Sequence, residues 1–262
     1  MLLALVPGCQ SGTVPEALMD FDSFEIVDLT HSFNANTIFW PTEEKGFVLE
    51  EVFKGTTDGG FYYEANKFQT AEHGGTHLDA PIHFAEGTHS AEEIPLRRLM
   101  GNGVVIDVSA GAASDRDYLI PVSAVTEWES EHGTIQPGSV LLFNTGYSSY
   151  WPDRERYMGT TETGADAVPK LHFPGLSPAL AKWLISEREI LSVGIDTPSI
   201  DRGQSTDFLA HQILMAKNIP AFENVANVSD LPPTGALVIA LPMKIDGGSG
   251  GPLRIVALVP KN

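Results

Sequence analysis

Three histidines and one aspartate lie within eleven positions of this chain, and all four are residue types that bind metals. They are His73, His77, Asp79 and His83, in the stretch His-Gly-Gly-Thr-His-Leu-Asp-Ala-Pro-Ile-His, and the chain has only eight histidines in all. Imidazole and carboxylate groups are the usual protein ligands of Zn²⁺, Mn²⁺ and related divalent ions. Such an ion activates water at neutral pH and polarises a carbonyl group, so the predicted chemistry is hydrolysis of an amide or an ester.

The spacing of these side chains predicts how they converge. His73 and His77 are four residues apart and would share a face of a helical turn, whereas His77 and Asp79 are two apart and would share a face of extended chain. A turn that passes into extended chain therefore brings all three toward one ion and leaves positions open for water and substrate. Gly74 and Gly75 permit unusual backbone angles beside the ligands. Three histidines and a carboxylate in this spacing disfavour the alternative, a set of histidines that holds no ion.

The rest of the sequence predicts strands and helices that position this segment. Apolar periodicity and turn residues mark both kinds of element. The predicted strands are 24–31, 47–53, 61–68, 103–108, 139–145, 190–196, 221–225, 235–243 and 252–259, and the predicted helices are 121–132, 177–187 and 208–218. Because hairpins and strand–helix–strand units occur together, we expect one α/β domain with a mixed β-sheet and flanking helices.

The long segment 146–173 is irregular, aromatic and charged, which is typical of a lid or a pocket wall. Tyr147, Tyr150 and Trp151 would then either line the pocket or pack the loop against the domain. Asp196 and Asp201 have two interpretations of their own, since an aspartate can orient a metal ligand or cap a loop.

Composition excludes several classes of function. The net charge of −18 argues against a basic surface for nucleic acid. No run of eighteen apolar residues occurs, so no membrane span is predicted. The single cysteine, Cys9, rules out a disulfide within the chain.

The first twenty residues suggest two alternatives. Residues 2–6 are apolar and precede Cys9, which resembles the end of a bacterial lipoprotein signal, but the basic start is missing and the apolar run is short. Residues 1–20 are therefore either a disordered tail or the remnant of an export signal with lipidation at Cys9. A disordered tail would be compatible with the bacterial cytoplasm, whereas a lipoprotein signal ending at Cys9 would imply a periplasmic or lipid-anchored location.

Residues 73–83 resemble the signature of the cyclase-type metal-dependent hydrolases, His-x-Gly-Thr-His-x-Asp-x-Pro-x-His, at every fixed position. That family includes bacterial kynurenine formamidases and isatin hydrolases. The likeness extends to the first strand at 28–31, a loop at 194–201 and the ending Gly-Gly-Pro-Leu-Arg at 250–254, and so covers about residues 24–260. The resemblance implies a domain over 21–262 of the swivelling β/β/α type.

The resemblance also implies a role for each site residue. His73, His77 and Asp79 would be metal ligands, and His83 would be the general acid/base. Two further residues, His211 and Glu223, would complete the site. The site would hold one or two ions of zinc or manganese. Isatin-hydrolase-like members tend to lack this glutamate, so its presence favours the formamidase-like arrangement. In formamidase-like members an aromatic substrate contact occupies the position of Trp40, for which a core role is the alternative.

The function that the resemblance implies is cleavage of a C–N bond in a small amide. An aryl formamide such as N-formylkynurenine, a substrate of tryptophan catabolism, is the first expectation. The alternatives are a cyclic amide, an imide or a lactone, an intramolecular cyclisation, or a non-catalytic metal-binding or ligand-binding protein on the same scaffold. A homodimer or homotetramer is expected, with the pocket completed by a neighbouring subunit.

Overall fold

An eight-stranded mixed β-sheet forms the centre of the protein, for which a computed structural model describes residues 20–261. The predictions for residues 1–20, including Cys9, therefore lie outside the described residues except at Asp20. The strands are β1 (Phe24–Asp28), β2 (Val48–Thr56), β3 (Tyr62–Gln69), β4 (His77–Asp79), β5 (Met100–Asp107), β6 (Leu119–Ile120), β7 (Ser139–Asn144), β8 (Gly175–Leu176), β9 (Ser192–Ile195), β10 (Ala221–Glu223), β11 (Leu237–Pro242) and β12 (Gly250–Pro260). The helices are α1 (Ser109–Ser114), α2 (Val122–His132), α3 (Arg154–Met158), α4 (Pro178–Glu187) and α5 (Leu209–Met215).

The sheet order is β1-β12-β11-β5-β7-β9-β10-β4. Strands β5, β7, β9 and β10 run parallel, and the remaining pairings are antiparallel. The long strand β12, second in this order, also pairs through residues 250–252 with β4, the last strand. The prediction of a single α/β domain with a mixed sheet is confirmed.

The central strands carry apolar side chains on both faces because both faces of the sheet are buried there. Strand β7 is wholly buried, and its alternate side chains enter two different cores. Leu141 and Phe143 pack in the core under α2, α4 and α5, whereas Val140 and Leu142 pack in the core enclosed by β4, β10, β11 and β12. The two cores therefore hold β7 rigidly between β5 and β9.

Local sequence signals set the helix ends. Helix α4 begins after Ser177, whose side chain accepts a hydrogen bond from the Leu180 N–H, and Pro178 is its first residue. Helix α2 ends before Gly133, which has a φ of 86°. Helix α5 is shorter than predicted: it begins one residue later, after Phe208 with a left-handed φ of 51°, and it ends three residues earlier, at Met215. None of the helices in residues 20–261 is long and apolar enough to cross a membrane.

The prediction of a pocket wall in segment 146–173 is wrong for its three named aromatic residues. Tyr147, Tyr150 and Trp151 pack with Tyr157 and Phe173 in a third apolar cluster, and none of these five residues lines the main cavity. The segment contains helix α3 and two short 3-10 helices, so it is an ordered part of the domain. The alternative interpretation, in which the aromatic residues pack the loop down, is the correct one.

Phe222 offers a test of the core beside the site. Its side chain is fully buried on β10, between Ala221 and the site residue Glu223. We expect Phe222→Ala to lower the free energy of unfolding by about 3–5 kcal/mol, because a large cavity replaces a buried ring. Urea unfolding would measure the change. Phe21→Ala, at a ring that is 60% exposed, is the control, and a similar loss in both variants would contradict the assignment.

Candidate metal and active site

Strand pairing brings the predicted site residues together from three parts of the chain. Strand β4 carries His77 and Asp79, and its antiparallel partner β10 places Glu223 directly opposite His77. Helix α5 follows the parallel strand β9 and presents His211 to the same place. The four side chains are almost completely buried. His211 and Glu223 therefore lie beside the His73–His83 segment, more than a hundred residues away in sequence.

Asp79 is the centre of this group. One carboxylate oxygen, Oδ1, lies 2.6 Å from Nδ1 of His73 and 3.1 Å from Nε2 of His77, and the other lies 3.1 Å from Nε2 of His211. Glu223 approaches the same imidazoles, at 3.1 Å from Nε2 of His211 and 3.5 Å from Nε2 of His77. Nitrogen and oxygen lone pairs of five residues thus converge on one small volume.

The opposite nitrogen of each imidazole is held by an acceptor outside this volume. Nδ1 of His77 contacts the Gly75 carbonyl at 2.9 Å, and Nδ1 of His211 contacts the Asp201 carboxylate at 2.7 Å. Nε2 of His73 contacts the Ser249 hydroxyl at 2.9 Å. With these outer nitrogens donating, the inner nitrogen of each neutral ring carries a lone pair directed at the carboxylates. Because such a cluster of lone pairs needs positive charge, the donor set fits a divalent cation of the zinc or manganese type.

The pKa shifts of the Glu223 and Asp79 carboxyl groups agree with a site for a divalent cation. Burial raises the pKa of Glu223, and the negative charge of Asp79 raises it further. Burial alone would also raise the pKa of Asp79, but the neighbouring imidazoles of His77 and His73 hold it well below its ordinary value. For His77, burial lowers the pKa, but the charge and hydrogen bond of Asp79 together with the Glu223 charge outweigh it, and the pKa rises to about 9. The site therefore concentrates negative charge where imidazole protons or a metal ion must balance it.

His83 lies at the edge of the cluster. Its ring stacks on His73 with centroids 3.8 Å apart, and it follows β4 in a short 3-10 turn, Pro81–His83. Burial lowers the pKa of His83 to about 4, so the ring is neutral at pH 7. Ligand-type atoms of His73, Asp79 and His83 form one close group, and those of His77, Asp79 and Glu223 form a second. A neutral imidazole at this position can accept or pass on a proton.

The local geometry differs from the predicted helical turn. His73 lies in irregular chain, and Gly74 after it bridges to Phe39 with a φ of 157°. Gly75 has a φ of 57°, and an added Cβ would lie 2.6 Å from the Phe33 ring. His73 and His77 therefore meet through their common contact with Asp79, and not through a shared helical face.

The two aspartates of the 194–201 loop have different roles. Asp201 accepts from the backbone N–H groups of Ala210 and His211 and also contacts Nδ1 of His211, so it both caps α5 and orients a site imidazole. Asp196 accepts from Thr145 and from the backbone of Ser148, which makes it a loop-stabilising residue. Asp201 therefore has both of the roles considered for these aspartates, whereas Asp196 has only the loop-stabilising one.

A cavity of about 340 Å³ opens onto the cluster of His73, His77, Asp79, His211 and Glu223. Trp40 lies in its wall with three rings that sequence reasoning did not single out, Phe39, Phe84 and Phe208. Trp40 and Phe208 pack edge to face with ring centroids 6.1 Å apart, and the Phe84 ring centroid lies 4.5 Å from that of His211. Such rings suit a flat aromatic ligand. A signal for Phe84 was available, since it directly follows His83, whereas nothing in the sequence marks Phe208.

His31 lies outside this cavity and has a structural role. Its ring stacks on Trp151 at 4.3 Å, and its backbone N–H donates to the Thr76 hydroxyl beside His77. Burial lowers the pKa of His31 to about 4. The ring is therefore held neutral between two segments that support the site.

A pH-dependent contribution to stability follows from His31. The unfolded chain binds a proton at this histidine near pH 6.5, whereas the folded chain binds it only near pH 4. Between these values the unfolded state holds more protons, so stability falls as the pH falls, by up to about 3 kcal/mol. His31→Phe keeps the stacking and removes the proton site. We expect its unfolding free energy, measured by urea at pH 7 and pH 5, to fall less than that of the wild type. Equal losses would contradict this role.

Comparison with known proteins identifies the class. The Cyclase family model, described as "Putative cyclase", matches residues 27–202. The chain therefore belongs to the cyclase family, among its metal-dependent hydrolases. This confirms the resemblance seen in residues 73–83.

The proteins similar to this chain include two kinds of hydrolase. The chain is 33% identical over 251 residues to an isatin hydrolase of Roseibium aggregatum, covering 90% of this chain and 92% of that protein. It is 30% identical over 233 residues to a kynurenine formamidase of Salinibacter ruber, covering 88% and 96%. The solved structure of isatin hydrolase A from Ralstonia solanacearum superposes with a TM-score of 0.83 at 30% identity, covering 95% of this chain and all of the other.

Proposed function

We propose that this protein hydrolyses the C–N bond of a small, neutral aryl amide, and that a cyclic aryl amide of the isatin type is its best substrate. The observation that carries the proposal is the arrangement of His73, His77, Asp79, His211 and Glu223 beneath an aromatic cavity. A divalent ion bound there supplies water activation and carbonyl polarisation.

The protein's own residues have separate tasks in this proposal. The three imidazoles and Asp79 hold the cation, and Glu223, whose pKa is raised by burial and by Asp79, acts as a further ligand or as a base. His83, whose neutral ring lies at the edge of the cluster, accepts the proton that the attacking water loses and passes it to the leaving nitrogen. The aromatic wall excludes water and orients the ring of the substrate.

The charge of the cavity separates the two candidate substrates. Among residues 20–261, no Lys or Arg lines the cavity, and the residues at its wall include the carboxylate of Glu43. A neutral bicyclic amide such as isatin needs no cationic partner. N-formylkynurenine carries an additional carboxylate, which this wall does not pair, although Glu43 suits its ammonium group. The aryl formamide is therefore the second candidate, supported by the ammonium contact.

A reconstitution screen tests the proposal. Protein stripped by a chelator and reloaded with Zn²⁺ or Mn²⁺ is assayed with isatin, N-formylkynurenine, phthalimide and phthalide. We expect metal-dependent turnover, with a higher kcat/KM for isatin than for the formamide. A formamide preference would reverse the substrate order. Metal binding without turnover of any amide, imide or lactone would favour the alternative of a non-catalytic binding protein.

Trp40 tests the aromatic wall. Its indole lies in the cavity beside Phe208 and Phe173, so it would contact the substrate ring. We expect Trp40→Ala to raise KM about 10-fold, from the loss of about 1–2 kcal/mol of aromatic contact, while metal affinity stays unchanged. Trp40→Phe should recover most of the loss. Steady-state kinetics with isatin measure the effect, and an unchanged KM would make Trp40 a core residue only.

A further inference from the structure

The outer nitrogen of His73 has a different kind of partner from those of the other two site imidazoles. Nδ1 of His77 contacts a backbone carbonyl, and Nδ1 of His211 contacts the Asp201 carboxylate. Both partners only accept hydrogen bonds, so each holds a proton on the outer nitrogen of its ring. Nε2 of His73 instead lies 2.9 Å from the Ser249 hydroxyl, which can donate or accept. The serine by itself therefore leaves the tautomer of His73 open.

Glu72 decides the direction of this hydrogen bond. The Ser249 hydroxyl donates to Glu72 Oε2 at 2.6 Å, and the Ser249 N–H donates to the same oxygen at 3.1 Å. Because a carboxylate only accepts, the hydroxyl proton is committed to Glu72, and the hydroxyl oxygen accepts from Nε2 of His73. Glu72 Oε2 itself lies 3.9 Å from that nitrogen, beyond hydrogen-bonding distance, so the carboxylate acts through the serine. With its proton on Nε2, the ring turns the lone pair of Nδ1 toward Asp79 Oδ1, 2.6 Å away.

The loop that carries Ser249 is built against both of its partners. A Cβ on Gly250 would lie 2.7 Å from the His73 ring, and a Cβ on Gly248 would lie 2.9 Å from Glu72 Oε1. Gly250 is also the first residue of β12 and pairs there with β4, the strand that carries two of the site residues. Close packing on both sides of the serine therefore gives its hydroxyl a defined position beside the imidazole.

Glu72 and Ser249 reach the site only through His73. The described residues that line the cavity include His73 but neither member of this pair. The His73 ring in turn stacks on His83, with centroids 3.8 Å apart and an angle of 16° between the planes. The orientation of His73 therefore bears on the cation site and on the histidine to which proton transfer is assigned.

We propose that Ser249 and Glu72 are positioning residues, which hold the proton of His73 on Nε2 and so offer Nδ1 to the metal ion. This inference rests on the proposed function, because it concerns the same metal site. Outer partners of this kind orient the imidazole and raise the basicity of its inner nitrogen, and their loss commonly weakens metal binding about 10–100-fold.

Metal affinity, measured by competition with a chromophoric chelator, tests the serine without an activity assay. We expect Ser249→Ala to bind Zn²⁺ or Mn²⁺ about 10–100-fold more weakly than the wild type. Ser249→Thr, which keeps the hydroxyl, should remain near the wild type, and Ser229→Ala, at an exposed serine, is the matched control. Wild-type affinity in Ser249→Ala would overturn the positioning role while leaving the proposed function intact.

A double-mutant cycle separates the action of Glu72 through the serine from the attraction of its negative charge for a cation. Glu72→Gln removes the charge but keeps an oxygen that accepts from Ser249, so most of the metal affinity should remain. Glu72→Ala should weaken binding when Ser249 is present and have little further effect in the Ser249→Ala background. Equal losses in both backgrounds would identify a charge effect and overturn the chain from Glu72 to His73.

NMR of ¹⁵N-histidine-labelled protein loaded with diamagnetic Zn²⁺ reads the tautomer directly. We expect the His73 ring of the wild type, assigned by its absence from the His73→Asn spectrum, to carry its proton on Nε2. A proton on Nδ1 would overturn the proposal, and this measurement needs no serine variant to fold. A wild type that binds neither Zn²⁺ nor Mn²⁺ would overturn the proposed function and this inference with it.

Discussion

Asp79→Asn is expected to abolish metal binding and to lower kcat/KM by more than about 10³-fold. Its two carboxylate oxygens contact imidazole nitrogens of His73, His77 and His211, at 2.6 to 3.1 Å. The substitution turns one oxygen into an N–H donor that faces those nitrogens and the cation. It also removes the charge that holds the imidazoles around the ion. Asp79 is therefore the single residue on which most of the site depends.

Metal content and thermal melting check this result together. An ion that binds only the folded protein stabilises it by about 2.7 kcal/mol at a hundredfold excess over its Kd. The wild type should gain that stability on metal addition, and Asp79→Asn should gain none. Asp28→Asn, at an exposed carboxylate paired with Arg254, is the matched control. Metal-induced stabilisation that persists in Asp79→Asn would refute its role as a ligand.

His83→Ala is expected to keep the metal but to lower kcat by about 10²–10⁴-fold, the usual contribution of a general acid/base. The neutral ring of His83 stacks on His73 at 3.8 Å and reaches the edge of the cluster, where a leaving nitrogen would lie. KM should change little, because the aromatic wall remains. Elemental analysis and steady-state kinetics separate the two properties, and His132→Ala on the distant helix α2 is the control.

The two outcomes of the His83 variant have different meanings. Retained metal with lost turnover supports an enzyme in which His83 transfers a proton. Loss of metal would make His83 a ligand, which the close grouping of its nitrogen with His73 and Asp79 also allows geometrically. Full activity would contradict both roles.

Family membership establishes the class of protein, whereas the chemistry of the cavity bears on the choice of substrate. The match over residues 27–202 establishes the cyclase family. The isatin hydrolase and the kynurenine formamidase are both named for small aromatic compounds, and their identities to this chain, 33% and 30%, do not separate the two candidate substrates. The Glu223 argument favours a formamidase arrangement, whereas the wall without Lys or Arg favours a neutral substrate. The kinetic comparison of isatin with N-formylkynurenine decides between them.

Much of the scaffold could be predicted because helix ends and buried strands depend on residues that are close together in the sequence. The caps of α2 and α4, the buried runs of β5, β7 and β9, and the terminal hairpin of β11 and β12 all occur close to their predicted bounds. Helix α5 was predicted too long: an unusual backbone angle at Phe208 delays its start by one residue, and the helix ends at Met215, before Asn218 with a φ of 55°. No propensity marks a bulky residue for the conformation of Phe208, which contacts in the folded chain hold: its N–H donates to the Ser205 hydroxyl at 3.0 Å, and its ring packs against Trp40 and Phe84.

The sequence by itself determined the ligand types, the short spacing from His73 to His83 and, through resemblance, the identity of His211 and Glu223 as candidates. Only the tertiary structure decided that these two residues meet Asp79, because β10 pairs with β4 and α5 packs beside them across more than 130 residues. It also decided which aromatic residues line the cavity: Trp40, Phe84 and Phe208 do, whereas Tyr147 and Trp151 do not. Chain direction and strand register set such distances, and neither is contained in the spacing of residues along one segment.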